Sequence, residues 1–203
     1  MISQQLAQNY LLYFIMPIWL VAGIADWYCH RLSRIEETSG VKESFYHLVM
    51  MGEIGIPVLL GLLFKVNALV LLVMFFGWLT HAITAYLDAK YAVQHRHIST
   101  IEHHIHSFLE IIPIMALSMM ALMHWDQFLG LLHIGGHVAD WSLAWKQPSL
   151  PVPYLLVLFL GFIFLETILT WRSSGGPSTI NRRLMCRSPH LQIPRLKFVV
   201  AVK

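Results

Sequence analysis

Three carboxylate–histidine pairs stand four residues apart along this chain: Asp26 with His30, Glu43 with His47, and Glu102 with His106. A fourth pair, His81 and Asp88, stands seven apart. Spacings of four and seven place side chains on one face of an α-helix. Each pair lies in or at the end of a very apolar segment, where ionisable groups are costly and by default mark a functional site. Imidazole suits iron and zinc, and carboxylates suit harder cations and can bridge two of them. Four helices each offering both types predict a metal centre built inside a helical bundle.

The elements that must position these residues follow from composition. The 203 residues are 57% hydrophobic and only 12% charged, with mean hydropathy +0.61. A soluble domain carries about 25% charged residues. The expected fold is therefore all-α, an integral membrane helical bundle of about five transmembrane helices, four of them carrying the metal site. The two cysteines, Cys29 and Cys186, support neither a disulfide framework nor a zinc ribbon. No cleavable-signal pattern precedes the first apolar run, which is expected to be a retained span. Nothing suggests a nucleic-acid partner.

A bilayer core needs about 20 apolar helical residues. Spans are expected from Asn9 to His30, Lys42 to Phe64, Asn67 to Tyr91, Thr100 to His124 and Pro153 to Trp171. The short Lys65–Asn67 link makes spans two and three an antiparallel hairpin. Ser39–Gly40 and Ser99–Thr100 are helix-start signals, and Pro57 and Pro113 fall inside helices. Residues 1–172 form the membrane domain; 173–203 form a basic, poorly ordered cytoplasmic tail. Arg31, Arg34, Lys42, Lys90 and Arg96 weight the loops on one side, with the basic tail; only Lys65 and Lys146 weight the other. The expected orientation in a cell inner membrane is N-terminus outside, C-terminus and metal site cytoplasmic. All four carboxylate–histidine clusters then fall at one depth, near the cytoplasmic boundary.

Taken singly, a histidine at that boundary is commonly an interfacial residue satisfied by water. The coincidence of depth favours the site. The expected ligands are His30, Glu43, His47, His81, Asp88, Glu102, His103 and His106. Asp26 either ligates or orients His30, and Glu110 lies one turn from His106. Tyr46 and Tyr86 are candidate donors to a bound oxygen species, and Glu37 could reach the site from above. His95, His97 and His104 are expected to face outward, and Glu53 and Glu166 lie deep in their spans. Segment 124–150, with Trp125, Trp141, Trp145, His124, His133 and His137, reads as interfacial and partly helical.

The histidine-rich clusters over roughly residues 20–110 resemble the membrane-bound di-iron hydroxylase and desaturase group. The nearest segment to that group's histidine boxes is Glu102-His103-His104-Ile105-His106, preceded by His95-Arg96-His97. The carboxylate share is higher here than in that group, towards the ferritin-like bundles. With the ligand types, the resemblance implies two iron ions, O₂ activation, and hydroxylation or desaturation of an apolar, lipid-like substrate. An electron donor, a reductase or quinol, would be the further partner. The alternatives are a b-type haem electron carrier, with His30, His47, His81 and His106 as axial ligands, and a metal-binding transporter. Zinc is the alternative metal. Haem gives no reason for a carboxylate four residues from each histidine. A transporter wants polar groups through the whole membrane depth.

Overall fold

The computed structural model describes residues 4–33, 35, 40–147 and 149–161. The described residues are helical apart from turns, loops and one isolated bridge between Phe64 and Trp145. Helix α1 runs Gln4–Ser33, α2 Val41–Leu63, α3 Ala68–His95 and α4 Thr100–Met123. These four are long and apolar enough to cross a membrane. A short helix α5 follows at Trp125–Leu131, and α6 spans Val152–Gly161. The rest of the expected fifth span, Glu166, Glu37, Ser39 and the tail 173–203 lie outside the described residues.

Helix boundaries follow local chemistry. The Ser99 hydroxyl accepts from the Glu102 amide at 3.2 Å and starts α4. The Asn67 side chain accepts from the Val70 amide at 3.2 Å and starts α3. Helix α2 starts instead at Gly40, whose φ of 70° suits glycine. Pro57 and Pro113 lie inside α2 and α4. Helix α1 contains a π-helical stretch, Leu11–Ile15. Such a stretch changes the i to i−4 pattern, and the Leu12 carbonyl there accepts from the Tyr154 hydroxyl of α6 at 2.6 Å.

The α2–α3 hairpin packs closely. A Cβ on Gly77 would strike the Pro57 ring and the Glu53 carbonyl, and one on Gly61 would strike Met74. Helix α1 packs mainly on α4, and α4 also packs on α3. At the hairpin end, segment 124–147 folds over the Lys65 turn. Asn67 Nδ2 donates to the Ser142 carbonyl at 2.5 Å, the Lys65 amide to the Ala144 carbonyl at 2.8 Å, and the Lys146 amide to the Leu63 carbonyl at 2.9 Å. Phe64 stacks on Trp145 with ring centroids 4.5 Å apart.

Polarity is distributed inside out. The buried residues include Asp26, His30, Glu43, His81, Asp88, Arg96 and Glu102, while Phe14, Val21, Ile24, Phe76, Ile83, Phe108 and Ile111 are exposed. In water such an apolar exterior would be a large unfavourable surface. Facing acyl chains it costs nothing, and the arrangement is that of a membrane protein.

Candidate metal centre

Chain direction brings the four clusters together. Asp26 and His30 end α1, Glu43 and His47 begin α2, His81 lies at the middle of α3 and Asp88 in its second half, and Glu102 and His106 begin α4. In an up-and-down bundle these four stretches share one end. Glu43 and Glu102 sit in first turns, where the helix dipole favours a carboxylate.

Asp26 is the hub. Its Oδ1 lies 2.8 Å from His106 Nε2, and its Oδ2 lies 3.6 Å from His30 Nδ1 and 4.0 Å from His47 Nδ1. His30 turns its other nitrogen, Nε2, to Glu102 at 3.3 Å and to Glu43 at 3.9 Å. His47 Nε2 faces Asp88 Oδ2 at 3.5 Å. The His30 and His47 rings meet edge to face with centroids 4.4 Å apart. Two triads, Asp26–His30–His106 and His30–Glu43–His47, each have a set of donor atoms lying within 4.8 Å of one another. They share His30.

The buried donors are close without being hydrogen-bonded. Asp26 Oδ1, both ring nitrogens of His30, His47 Nε2, Asp88 Oδ1, Glu102 Oε1 and His106 Nε2 make no aligned hydrogen bond. Buried polar atoms are normally satisfied, so such a concentration calls for an explanation. Metal coordination fits it. With metal–ligand bonds of about 2.1 Å, neighbouring donors on one ion stand about 3.0–3.4 Å apart, from right-angled to tetrahedral geometry. Of the carboxylate–imidazole separations, 3.3 Å falls in that range, 2.8, 3.5 and 3.6 Å lie within about 0.2 Å of it, and 3.9 and 4.0 Å lie beyond it.

Arg96, which follows α3, completes the polar core. Its guanidinium donates through Nε to both Glu43 oxygens at 3.1 and 3.2 Å, and through Nη2 to Glu43 Oε1 at 2.6 Å. Nη2 also stands 2.6 Å from Glu102 Oε1. Burial opposes its charge, but the hydrogen bonds to Glu43 and the ion pair with Glu102 outweigh that and hold its pKa above the usual arginine value. In the sequence Arg96 stands out only as a loop charge. The available signal was four carboxylates at one depth, which demand a counter-charge. Arg31, Arg34 and Lys42 at the same end left the choice of partner open.

His81 lies further along the bundle. It lines a cavity of about 110 Å³ with Asp26, His47, Asp88, His106 and Glu110. Its ring sits by the Met50 and Leu109 backbone without an aligned hydrogen bond. The rest of the cavity wall is apolar and includes Trp19, Leu20, Met50 and Leu109.

The structure does not bring His103 to the cluster. Adjacent helical residues point about 100° apart, so with Glu102 and His106 turned inward His103 is exposed. His95, His97 and His104 are exposed as well. Tyr86 faces outward, 65% exposed, and Tyr46 packs against Tyr91 with ring centroids 6.2 Å apart. Glu53, deep in its span, accepts from the Thr84 hydroxyl at 3.0 Å. That bond links α2 to α3, and helical periodicity within one segment does not reveal it.

No protein-family model, curated protein or solved structure matches this chain.

Proposed function

We propose that the chain is a membrane oxidoreductase whose buried histidine–carboxylate cluster holds two iron ions and uses O₂ to hydroxylate or desaturate an apolar, lipid-like substrate. The observation that carries this reading is the convergence of three imidazoles on Asp26. Asp26, His30 and His106 would hold one ion, and His30, Glu43 and His47 the other. Asp88 and Glu102 extend the two ends, and Asp26 reaches both halves.

Charge supports two divalent ions. Asp26, Glu43, Asp88 and Glu102 bring four carboxyl groups into the bundle, and Arg96 one guanidinium. Uncompensated charge at such a site is strongly destabilising. Two divalent cations would reverse the deficit, and mixed histidine–carboxylate sets on four helices suit iron. A haem is a poorer fit. Ligand pockets of its class need about 300 Å³ or more, whereas the space beside these imidazoles is about 110 Å³ and edged by carboxylates.

When bound, the iron pair supplies O₂ binding and electron transfer. In the balanced reaction R–H, O₂, two electrons and two protons give R–OH and water; desaturation yields an alkene and two waters. The chain's own residues do the rest. Trp19, Leu20, Met50 and Leu109 exclude water and hold a C–H bond beside the polar wall formed by Asp26, His47, Asp88 and His106. Arg96 fixes Glu43 and Glu102. A cytoplasmic position for this end would admit electrons from a reductase, or a quinol could deliver them from the bilayer.

Lipid extracts from cells carrying the intact chain or His106→Ala test this. Some species should differ by one oxygen or two hydrogens. Identical extracts, together with reduced protein that is inert to O₂, would overturn the oxidation reading.

A further inference from the structure

A second, larger cavity of about 780 Å³ occupies the other half of the bundle. It is of the size of a ligand pocket. Its middle is apolar, walled by Ile54, Val58, Met74, Leu117 and Met120. Its far end carries three basic groups, Lys65, Lys146 and His124. Lys65 pairs with Asp140 at 3.6 Å. Lys146 donates to the Gly61 carbonyl at 2.6 Å and, among the described residues, pairs with no carboxylate. Burial lowers its pKa. Burial, then Lys146 and Lys65, lowers that of His124, so the three groups share one field. An apolar chamber with an unbalanced ammonium at one end matches an amphiphile with an anionic head.

The two cavities lie end to end. On each of the four long helices the lining passes from one to the other within three residues: Met16 to Trp19, Ile54 to Met51, Trp78 to His81, and Pro113 to Glu110. Met51, a flexible gap-filling side chain, lines the smaller cavity one turn from Ile54 of the larger. From His124 to His106 the helix rises about 27 Å at about 1.5 Å per residue. An extended alkyl chain advances about 1.3 Å per carbon, from C–C bonds of about 1.5 Å at tetrahedral angles. The run therefore suits a long single chain.

We propose that this chamber binds a long-chain carboxylate, with its head at Lys146 and its chain end directed towards His81 and His106. Binding stands on the cavity alone; the consequence, oxidation at the end of the chain far from the head, rests on the oxidase reading above.

Palmitate bearing a photoreactive diazirine tests it on the purified full chain. A diazirine at the chain end should label residues around Met51 and Trp78. One beside the carboxylate should label 61–66 or 144–147. Lys146→Gln should weaken palmitate binding about tenfold and leave 1-hexadecanol within about twofold, with Lys146→Arg restoring palmitate. Ala116→Trp, which fills the chamber, should weaken both. Reversed labelling, equal loss of palmitate and hexadecanol in Lys146→Gln, or no saturable binding would overturn the proposal. Metal analysis of the same sample separates the two readings. Palmitate bound to protein without metal sinks the oxidase reading alone; metal without palmitate sinks the chamber alone.

Discussion

Oδ1 of Asp26 lies 2.8 Å from Nε2 of His106, yet the two atoms form no aligned hydrogen bond. The same carboxylate also faces His30 and His47. From spacing alone Asp26 is as well suited to orienting His30 as to ligation. In three dimensions it is, among the described residues, the carboxylate that faces three imidazoles, which links the two triads.

Asp26→Ala should therefore cost metal outright. Purified variant protein incubated with excess iron should hold about one ion per chain or fewer. A carboxylate that only orients a ligand costs about 10–100-fold in affinity and leaves the site loadable. Full occupancy of the variant at excess iron would return Asp26 to that lesser role.

Arg96→Gln removes the counter-charge from Glu43 and Glu102. Breaking a buried pair costs about 3–5 kcal/mol, which for a chain of this size lowers Tm by on the order of 10 °C. Arg96→Lys should recover only part, because an ammonium cannot span two carboxylates as the planar guanidinium does. The loss should shrink when metal is bound, since the cations then share the compensation. Thermal unfolding with and without iron checks both points, and an unchanged Tm in metal-free Arg96→Gln protein would contradict the assignment.

Gly77→Leu should disturb the site from a distance. The new side chain meets Pro57 and the Glu53 carbonyl, so α2 and α3 must part. Overpacking costs about 1–3 kcal/mol. The same displacement separates His47 on α2 from Asp88 on α3, and metal content should fall. Stable variant protein with full metal would show that the hairpin spacing does not hold the site.

Four spans and the one-ended clustering were legible because hydropathy and a period of 3.6 are properties of single segments. The Ser99 start and the short hairpin turn were legible through local chemistry. What was not legible depends on contacts between segments. Arg96 selects Glu43 and Glu102 only once α2, α3 and α4 are packed, and Thr84 finds Glu53 across the hairpin. His103 was grouped with its neighbours because a window of sequence does not fix which of three adjacent polar residues turns inward. The π-helical stretch at Leu11–Ile15 has no pattern in its apolar sequence to announce it. The hold of Ser142 and Ala144 on the hairpin turn runs through their backbone carbonyls, which every residue carries.

Loop charge gives a topology that can be checked separately. With the biased loops on the Asp26 side and five spans, a reporter fused after Lys203 should be active only in a cytoplasmic assay. A signal from outside would overturn that five-span orientation.

If the Asp26 cluster is a two-iron centre, metal analysis of the purified chain, read beside its absorption spectrum, should find about two irons per chain, no Soret band, and loss of both ions in His30→Ala, the imidazole common to the two triads. A Soret band, zinc in place of iron, or metal content unchanged by His30→Ala would contradict it.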